Sequence, residues 1–423
     1  MKRKLLKQIR HEWRSNLWMG IELLIISVIV WFVTDYLYAI YQTISEPKGY
    51  DIENTYIMAF GTYPEDSPKY VELGEDANMR NAEDRLAIAD AIRRRPDVET
   101  VSFSTGMEPG FMNYNGMSPT VNDNDSVRLS VRAGFMTPEH IKTIGIKAKD
   151  PKISQDQLVQ MLRDGKALIS DFNSDDKNHL PYPMEPESLI GSRLGAYGQN
   201  FEVGAVVEYM KRIDTELYKK DIVMILPLNE NDPAITNRAR NVSIRVKPDA
   251  AKKFITNFNQ DREKQYIRNN TYVKSIKSYN EVYENSTHDM NVTKRKYVGC
   301  MAFMLVSVFL GLLGTFWLRT RQRVPEIAVR KINGASNSSI AMRLASEGIF
   351  LLTLVTPFAI VCDWLICHYE LNENIRYEFF APARFIITVI LTYVMLVVTI
   401  LIGIAFPAWK AVKVQPAEAL KDE

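Results

Sequence analysis

Phe385-Ile386-Ile387-Thr388-Val389-Ile390-Leu391-Thr392-Tyr393-Val394-Met395-Leu396-Val397-Val398-Thr399-Ile400-Leu401-Ile402-Gly403-Ile404-Ala405-Phe406 contains no charged residue. Its length is close to the ~20 residues that carry a helix across a bilayer core ~30 Å thick. Working outward, residues 298–318 and 348–367 repeat the pattern in the C-terminal third, and 18–40 repeats it near the N-terminus. Residues 42–296, between the first and second stretches, are polar and mixed. A water-soluble fold has no use for four such segments. The layout predicts a membrane α-helical protein of four transmembrane helices, one plus three, with a large α+β extracytoplasmic domain hung between the first two.

Few charges interrupt these spans. The first carries Glu22 and Asp35 and the third carries Asp363. Each lies near a span end, so the expectation is that these carboxylates reach the headgroup layer. Trp13, Trp18, Tyr36, Tyr38, Tyr41, Trp317, Trp364, Tyr369 and Trp409 form the matching aromatic belts. A cleavable signal peptide competes for the first span. However, Val33-Thr34-Asp35-Tyr36-Leu37-Tyr38 offers no small-x-small cleavage site, which favours an uncleaved anchor.

Lys2, Arg3, Lys4, Lys7, Arg10 and Arg14 precede the first span, and Arg319, Arg321, Arg323, Arg330, Lys331 and Arg343 follow the second. Positive-inside logic places both termini and this loop in the cytoplasm. Lys294, Arg295 and Lys296 argue the other way, but they belong to a long domain of the kind that crosses largely regardless of charge. Net charge is only +2, and no nucleic-acid partner is expected. Cys300, Cys362 and Cys367 all fall in spans, so the outer domain must rest on an apolar core without disulfides.

Within that domain, 82–95 reads as a helix stopped by Pro96, and alternation marks strands at 101–103 and 127–131. Thr137-Pro138-Glu139 opens a helix that Gly145 would close, and Ser154 with Gln157 forms a capping box. Further strands fit Ala167–Ser170, 201–207, 222–226 and 242–246, and a helix at 249–259 sets Ala251, Phe254, Ile255 and Phe258 on one face. Ser278 and Glu281 form a second box, whose helix would run on through Thr293 unless Asn285-Ser286-Thr287 interrupts it.

Chemistry is scarce. The chain has no phosphate-binding loop, no His-Glu-x-x-His, no Cys-x-x-Cys and no Gly-x-Ser-x-Gly. Asp171-Phe172-Asn173-Ser174-Asp175 imitates a calcium loop, but Asp176 stands where glycine is needed and Tyr182 where glutamate is needed. Asn122-Asp123-Asn124-Asp125 reads as a hairpin tip. No catalytic residue, metal site or bound cofactor is expected. In the second span Ser307, Gly311, Gly314 and Thr315 are candidates for close helix packing.

The loop after that span reads Arg321-Gln322-Arg323-Val324-Pro325-Glu326-Ile327-Ala328-Val329-Arg330-Lys331-Ile332-Asn333-Gly334-Ala335-Ser336, continuing through Ser339. In bare physical terms it is a short amphipathic basic helix, stopped by Gly334, that would suit a lipid surface equally well. It closely resembles the Arg-x-x-Glu-Ile-Gly…Arg-Arg-Ala-x-Gly-Ala-Ser segment of ABC transporter permeases of the MacB/FtsX/LolC-E type. Ala328, Asn333 and Pro325 depart from that pattern. The tail Pro407-Ala408-Trp409-Lys410-Ala411…Gln415-Pro416-Ala417-Glu418-Ala419-Leu420-Lys421 is similar to the family's closing segment. The stretch from Phe135 to Gly145, with Ile190-Gly191 and 201–207, looks like its periplasmic core.

The resemblance implies a division of the chain into a basic N-terminus (1–17), spans at 18–41, 297–318, 347–367 and 384–406, and an outer domain at 42–296. The outer domain would have a porter-like lobe (about 42–135 and 235–290) and a sabre-like lobe (about 136–234). A coupling loop (319–346), a short outer loop (368–383) and a cytoplasmic tail (407–423) complete it. Carried over, Arg323, Glu326, Ile327, Arg330, Lys331, Gly334, Ala335, Ser336 and Ser339 would contact a separate ABC ATPase subunit, which would hold the ATP and magnesium. A second permease subunit is implied, with a periplasmic adaptor and an outer-membrane channel as further partners. The resulting expectation is a non-enzymatic subunit of the bacterial inner membrane that drives efflux or extraction of a peptide, lipoprotein, lipid or toxic compound by mechanotransmission. The alternatives are a regulator of a cell-wall hydrolase and a ligand-sensing receptor.

Overall fold

A computed structural model describes residues 13–106, 108–111, 115–175, 179–213, 216, 219, 221–229, 241–322, 329, 332, 334–372 and 380–413. Two compact units emerge: Ser45–Asp289, and a helical unit built from the chain on either side of it.

In the helical unit, α1 (Trp13–Ser45) opens the chain. The helices α7 (His288–Gln322), α8 (Asn337–His368) and α9 (Pro382–Lys413) close it, after five helices of the other unit. Leu17–Ser45, Ser338–His368 and Pro382–Ala405 are each long and apolar enough to cross a bilayer. The remaining stretch, 298–318, lies wholly inside the continuous helix α7. Met19, Leu23 and Val30 of α1 pack with Leu351 and Leu352 of α8 and with Leu396, Ile400 and Ile404 of α9. Many other large apolar side chains stay exposed, as on a surface that lipid solvates.

The unit Ser45–Asp289 is built on β1 (Thr55–Thr62), β2 (Val98–Thr105), β3 (Asn115–Met117), β4 (Thr120–Val121), β5 (Asn124–Arg128), β6 (Val131–Met136), β7 (Ala167–Ser170), β8 (Arg193–Ala196), β9 (Gln199–Val207), β10 (Ile222–Pro227), β11 (Asn241–Val246), β12 (Ile267–Arg268) and β13 (Thr271–Ser278). They form one sheet in the order β12-β13-β1-β11-β2-β6-β10-β7-β9-β8-β4-β5, with β3 beside β6. The pairs β6–β10 and β7–β9 are parallel.

Helices α2 (Ala77–Arg93), α3 (His140–Thr143), α4 (Gln155–Arg163), α5 (Ala251–Gln265) and α6 (Tyr279–Ser286) cover this sheet. Ile88, Ala89 and Ile92 of α2 and Phe254 and Phe258 of α5 share a core with Met58, Phe103, Val242 and Ile244. Leu158, Val159 and Leu162 of α4 pack on Leu168, Ala205, Val207, Val223 and Ile225. The opposite face of those strands carries Ile169, Val203, Met224 and Leu226 in a separate core. Strands buried on both faces read as unbroken apolar runs, which is why Ile222-Val223-Met224-Ile225-Leu226 shows no alternation.

Ser154 accepts from Gln157 N while Gln157 Oε1 accepts from Ser154 N, completing the expected capping box. Asn122 and Asp123 both take positive φ at the tip of the β4–β5 hairpin. The expected strand at 127–131 is instead two strands: β5 ends at Arg128, Leu129 and Ser130 bond outside the ladder, and β6 starts at Val131. Leu129 N donates to Pro119 O and Ser130 N to His179 O, so turn contacts displace the regular pairing. The second predicted box is incomplete, since Ser278 caps Asn280 N and the helix stops at Ser286. Thr287 separates α6 from α7, within the suspected interruption.

Candidate functional site

Of the nine residues expected to contact an ATPase, Arg323, Glu326, Ile327, Arg330 and Lys331 lie outside the described residues. The other four form the entry to α8. Gly334 has φ +85°, a left-handed conformation that would strain any other residue. Ala335 links it to Ser336, whose side chain accepts from Ser339 N at 3.2 Å and caps the helix. Ser339 Oγ returns a bond to Ser336 O at 2.8 Å. A sharp stop is thus followed at once by a capped start, fixing where α8 begins. Val329 and Ile332, just upstream, are helical and exposed.

The helices α1 and α7, which are covalently joined to the outer unit, meet at two levels. The rings of Tyr36 and Tyr297 stack with centroids 3.8 Å apart. Further along, a Cβ at Gly311 would stand 2.6 Å from Glu22 Oε1, so the glycine lets that carboxylate approach. Gly314 has nothing within 4 Å, and Ser307 is exposed with Oγ donating to Phe303 O at 2.9 Å. The Thr315 side chain lies outside the described residues.

Asp35 and Asp363 do not behave as span-end carboxylates snorkelling to headgroups. Both are buried among the helices. Arg384 Nε donates to Asp35 Oδ1 at 2.9 Å, and Asn372 Nδ2 donates to Oδ2 at 3.4 Å. Trp31 Nε1 donates to Thr388 Oγ1 at 3.1 Å, one α1 turn before Asp35. Proximity to a span end is a one-dimensional criterion, whereas burial depends on which helix face the residue occupies. Arg384, just before the uncharged run at 385–406, was the available signal: an arginine at the mouth of a span needs a counter-charge.

In the outer unit, the segment leaving α1 is clamped to the sheet. Lys211 Nζ lies 3.3 Å from Glu46 Oε2, Lys211 N donates to Lys48 O at 3.0 Å, and Asp51 pairs with Arg245 at 2.5 Å. The Asp51 carboxyl is held below its usual range by that arginine against the opposing effect of burial. The segment entering α7 is clamped as well: Tyr279 OH shares a 2.7 Å hydrogen bond with Ser243 Oγ. Lys48 Nζ stands 4.1 Å over the Tyr283 ring, joining the entry and exit segments directly. Beside them Arg132 binds Glu216 at 2.6 Å, Asp221 at 3.1 Å and Tyr209 OH at 3.0 Å. Burial pushes the Tyr209 hydroxyl well above its usual range.

Asp171, the first residue of the calcium-like segment, is paired with Lys149 at 2.9 Å and Lys219 at 2.5 Å. Two cations already neutralise it, and among the described residues no cluster of His, Cys, Asp and Glu is arranged to hold a metal.

Residues 298–416 match the FtsX-like permease C-terminal family. The C-terminal part of this chain is an FtsX-like permease domain. The match takes in most of α7, all of α8 and α9, and the loop that carries the resemblance to MacB/FtsX-type permeases, so that the resemblance holds. Two solved structures share similarity with the chain. One is a domain of a permease from Porphyromonas gingivalis, at 16% identity and TM-score 0.31, covering 52% of this chain and 89% of that one. The other is the periplasmic region of MacB from Actinobacillus actinomycetemcomitans, at 12% identity and TM-score 0.32, covering 58% of this chain and 97% of that one. No curated protein matches. The FtsX-like domain thus accounts for the helical unit from residue 298 to the end of α9.

Proposed function

We propose that this chain is the permease subunit of an ABC transporter of the bacterial inner membrane, and that it converts ATP hydrolysis on a separate subunit into a shape change of its outer domain. The match of 298–416 to the FtsX-like permease family carries this reading. On it, the chain crosses the bilayer four times with both termini inside, the outer domain moves as a porter-like and a sabre-like lobe, and two such chains work with two ATPases. ATP and magnesium belong to the ATPase, and this chain performs no chemistry.

Two features support transmission of force. First, α7 is unbroken from His288 to Gln322, so a push on the segment after Gln322 acts on one rigid rod. Second, the chain segments that enter and leave the outer domain are tied to its sheet and to each other through Lys48 and Tyr283. The spans hold few charges, which suits a lever better than an aqueous path. The cargo class is a peptide, lipoprotein, lipid or small toxic compound handled outside the bilayer, with an adaptor and outer-membrane channel as candidate partners.

The test is Glu326→Arg in chain co-purified with its ATPase. Stimulation of ATP turnover should disappear while the complex still forms a folded permease. Undiminished stimulation would refute the assigned contact.

A further inference from the structure

Lys294, Arg295 and Lys296 are all exposed on α7, and no carboxylate stands within four residues of any of them along the helix. Among the described residues none of the three enters an ion pair. With the domain 42–296 outside, they stand at the outer edge of the membrane, just before the apolar run 298–318. Positive-inside bias makes three cations at that level unusual.

Tyr297 marks the side of α7 that faces α1, through its stack on Tyr36 at 3.8 Å. At about 100° per residue, positions 295, 296, 299, 303, 306 and 310 gather within about 100° of arc on the side away from it. Leu305, nearer the Tyr297 side, packs against the helical core instead. Phe303, Val306 and Leu310 are 70%, 56% and 58% exposed. Gly299 lies between Arg295 and Lys296 one turn further in, and a Cβ there would meet nothing within 4 Å. Two cations thus overhang an open notch, and an apolar ridge runs on from it toward the bilayer centre.

A second copy of α7 does not suit this face. Two-fold-related copies in one membrane bring equal heights together, so Arg295 and Lys296 would confront their own counterparts. Neutral lipid would cover the ridge and leave the cations unmatched. A phospholipid of net negative charge answers both. Its phosphate accepts paired N–H groups from Arg295 and the charge of Lys296, while an acyl chain lies along Phe303, Val306 and Leu310.

We propose that this face of α7 binds an anionic phospholipid of the outer leaflet, with Arg295 and Lys296 on the phosphate, Lys294 beside them and Gly299 admitting the glycerol backbone. The assignment rests on α7 spanning the bilayer as in the proposed function.

Native mass spectrometry of the delipidated full-length chain in detergent tests it, with phosphatidylglycerol titrated against phosphatidylcholine of the same acyl chains. Phosphatidylglycerol should bind saturably and about tenfold more tightly. Arg295→Gln with Lys296→Gln should weaken it about thirtyfold, the weight of two cations beside anionic lipid. Lys252→Gln with Lys253→Gln removes the same charge from α5 and should leave the affinity unchanged. Gly299→Leu fills the notch without altering charge and should also weaken binding. Equal affinity for the two lipids would overturn the site, as would parent affinity in the Arg295 and Lys296 double variant. Should that variant not fold, Gly299→Leu decides, and an unshifted affinity rejects the assignment. Displacement of the lipid by inorganic phosphate would mean an anion site and overturn the lipid one. A disulfide between copies carrying Phe303→Cys and Cys300→Ser would mean that a second chain covers the face. No ATPase enters these measurements, so their failure leaves the ATPase contact to the Glu326→Arg test.

Discussion

Asp35 Oδ1 and Arg384 Nε stand 2.9 Å apart with both side chains only 4% exposed, so the first and last helices of the bundle are joined by a buried ion pair. The pair sits near the C-terminal end of α1 and the N-terminal end of α9, which therefore meet antiparallel. Its worth lies less in net stability than in the penalty for mispairing these helices, because either charge alone would be stranded away from water.

Asp35→Asn should accordingly destabilise the detergent-solubilised chain by about 3–5 kcal/mol, since Arg384 keeps its charge and loses its match. The double variant Asp35→Leu with Arg384→Met should recover most of that loss. Unfolding free energies of Asp35→Leu, Arg384→Met and the double variant give the coupling energy. Additive losses would show that the pair is not an energetic unit.

A second prediction concerns acid. His140 is wholly buried, with Nδ1 2.8 Å from Ser102 Oγ, and burial holds its imidazole down at about 3 against an ordinary 6.5. Between those values the unfolded chain takes up a proton that the folded chain refuses. Stability is therefore complete above 6.5 and falls as pH drops toward 3, by up to about 1.4 kcal/mol per unit. Unfolding of the full chain, followed by the tryptophan-independent far-ultraviolet signal from about pH 7 to pH 4, should show this slope. His140→Gln should flatten it, and a variant with the parent slope would remove His140 as the cause.

Backbone crowding supplies a third. Gly49 has φ +76°, and a Cβ there would overlap the carbonyl oxygen of Tyr209, a backbone atom that cannot swing aside. Gly49→Ala should cost at least about 2 kcal/mol, from left-handed strain together with loss of the bond between Lys211 N and Lys48 O. A shift in unfolding midpoint near zero would mean that the entry segment is not clamped.

The start of α8 yields the fourth. Gly334→Val places a branched side chain at φ +85°, and Ser336→Ala removes the cap from Ser339 N. Each should cost the helix start about 1–2 kcal/mol. On the proposed function, both should lower the stimulated turnover of an assembled ATPase more than its basal turnover, because they loosen the start of α8 without touching the nucleotide. Equal loss of both rates would point to general misfolding.

Much of this molecule is readable from residue order, for reasons that are local. An uncharged run such as 385–406 has one stable state in lipid, a helix that satisfies its own backbone, so the membrane class follows from composition alone. Ser154 with Gln157, and Asn122 with Asp123, set a helix start and a hairpin tip through bonds and torsions spanning a few residues. The loop and tail motifs likewise lie in short segments, which is why family membership was visible before any fold.

Tertiary structure decided what depends on facing. Asp35 and Asp363 look alike along the chain, yet one meets Arg384 and the other faces a hydroxyl-lined cavity, because helix rotation and neighbour identity are set by packing. The split of 127–131 into two strands, and the meeting of Lys48 with Tyr283, arise from contacts between residues far apart in sequence. Period and propensity report what a segment prefers by itself; only the folded chain brings distant charges, rings and carbonyls within reach of one another.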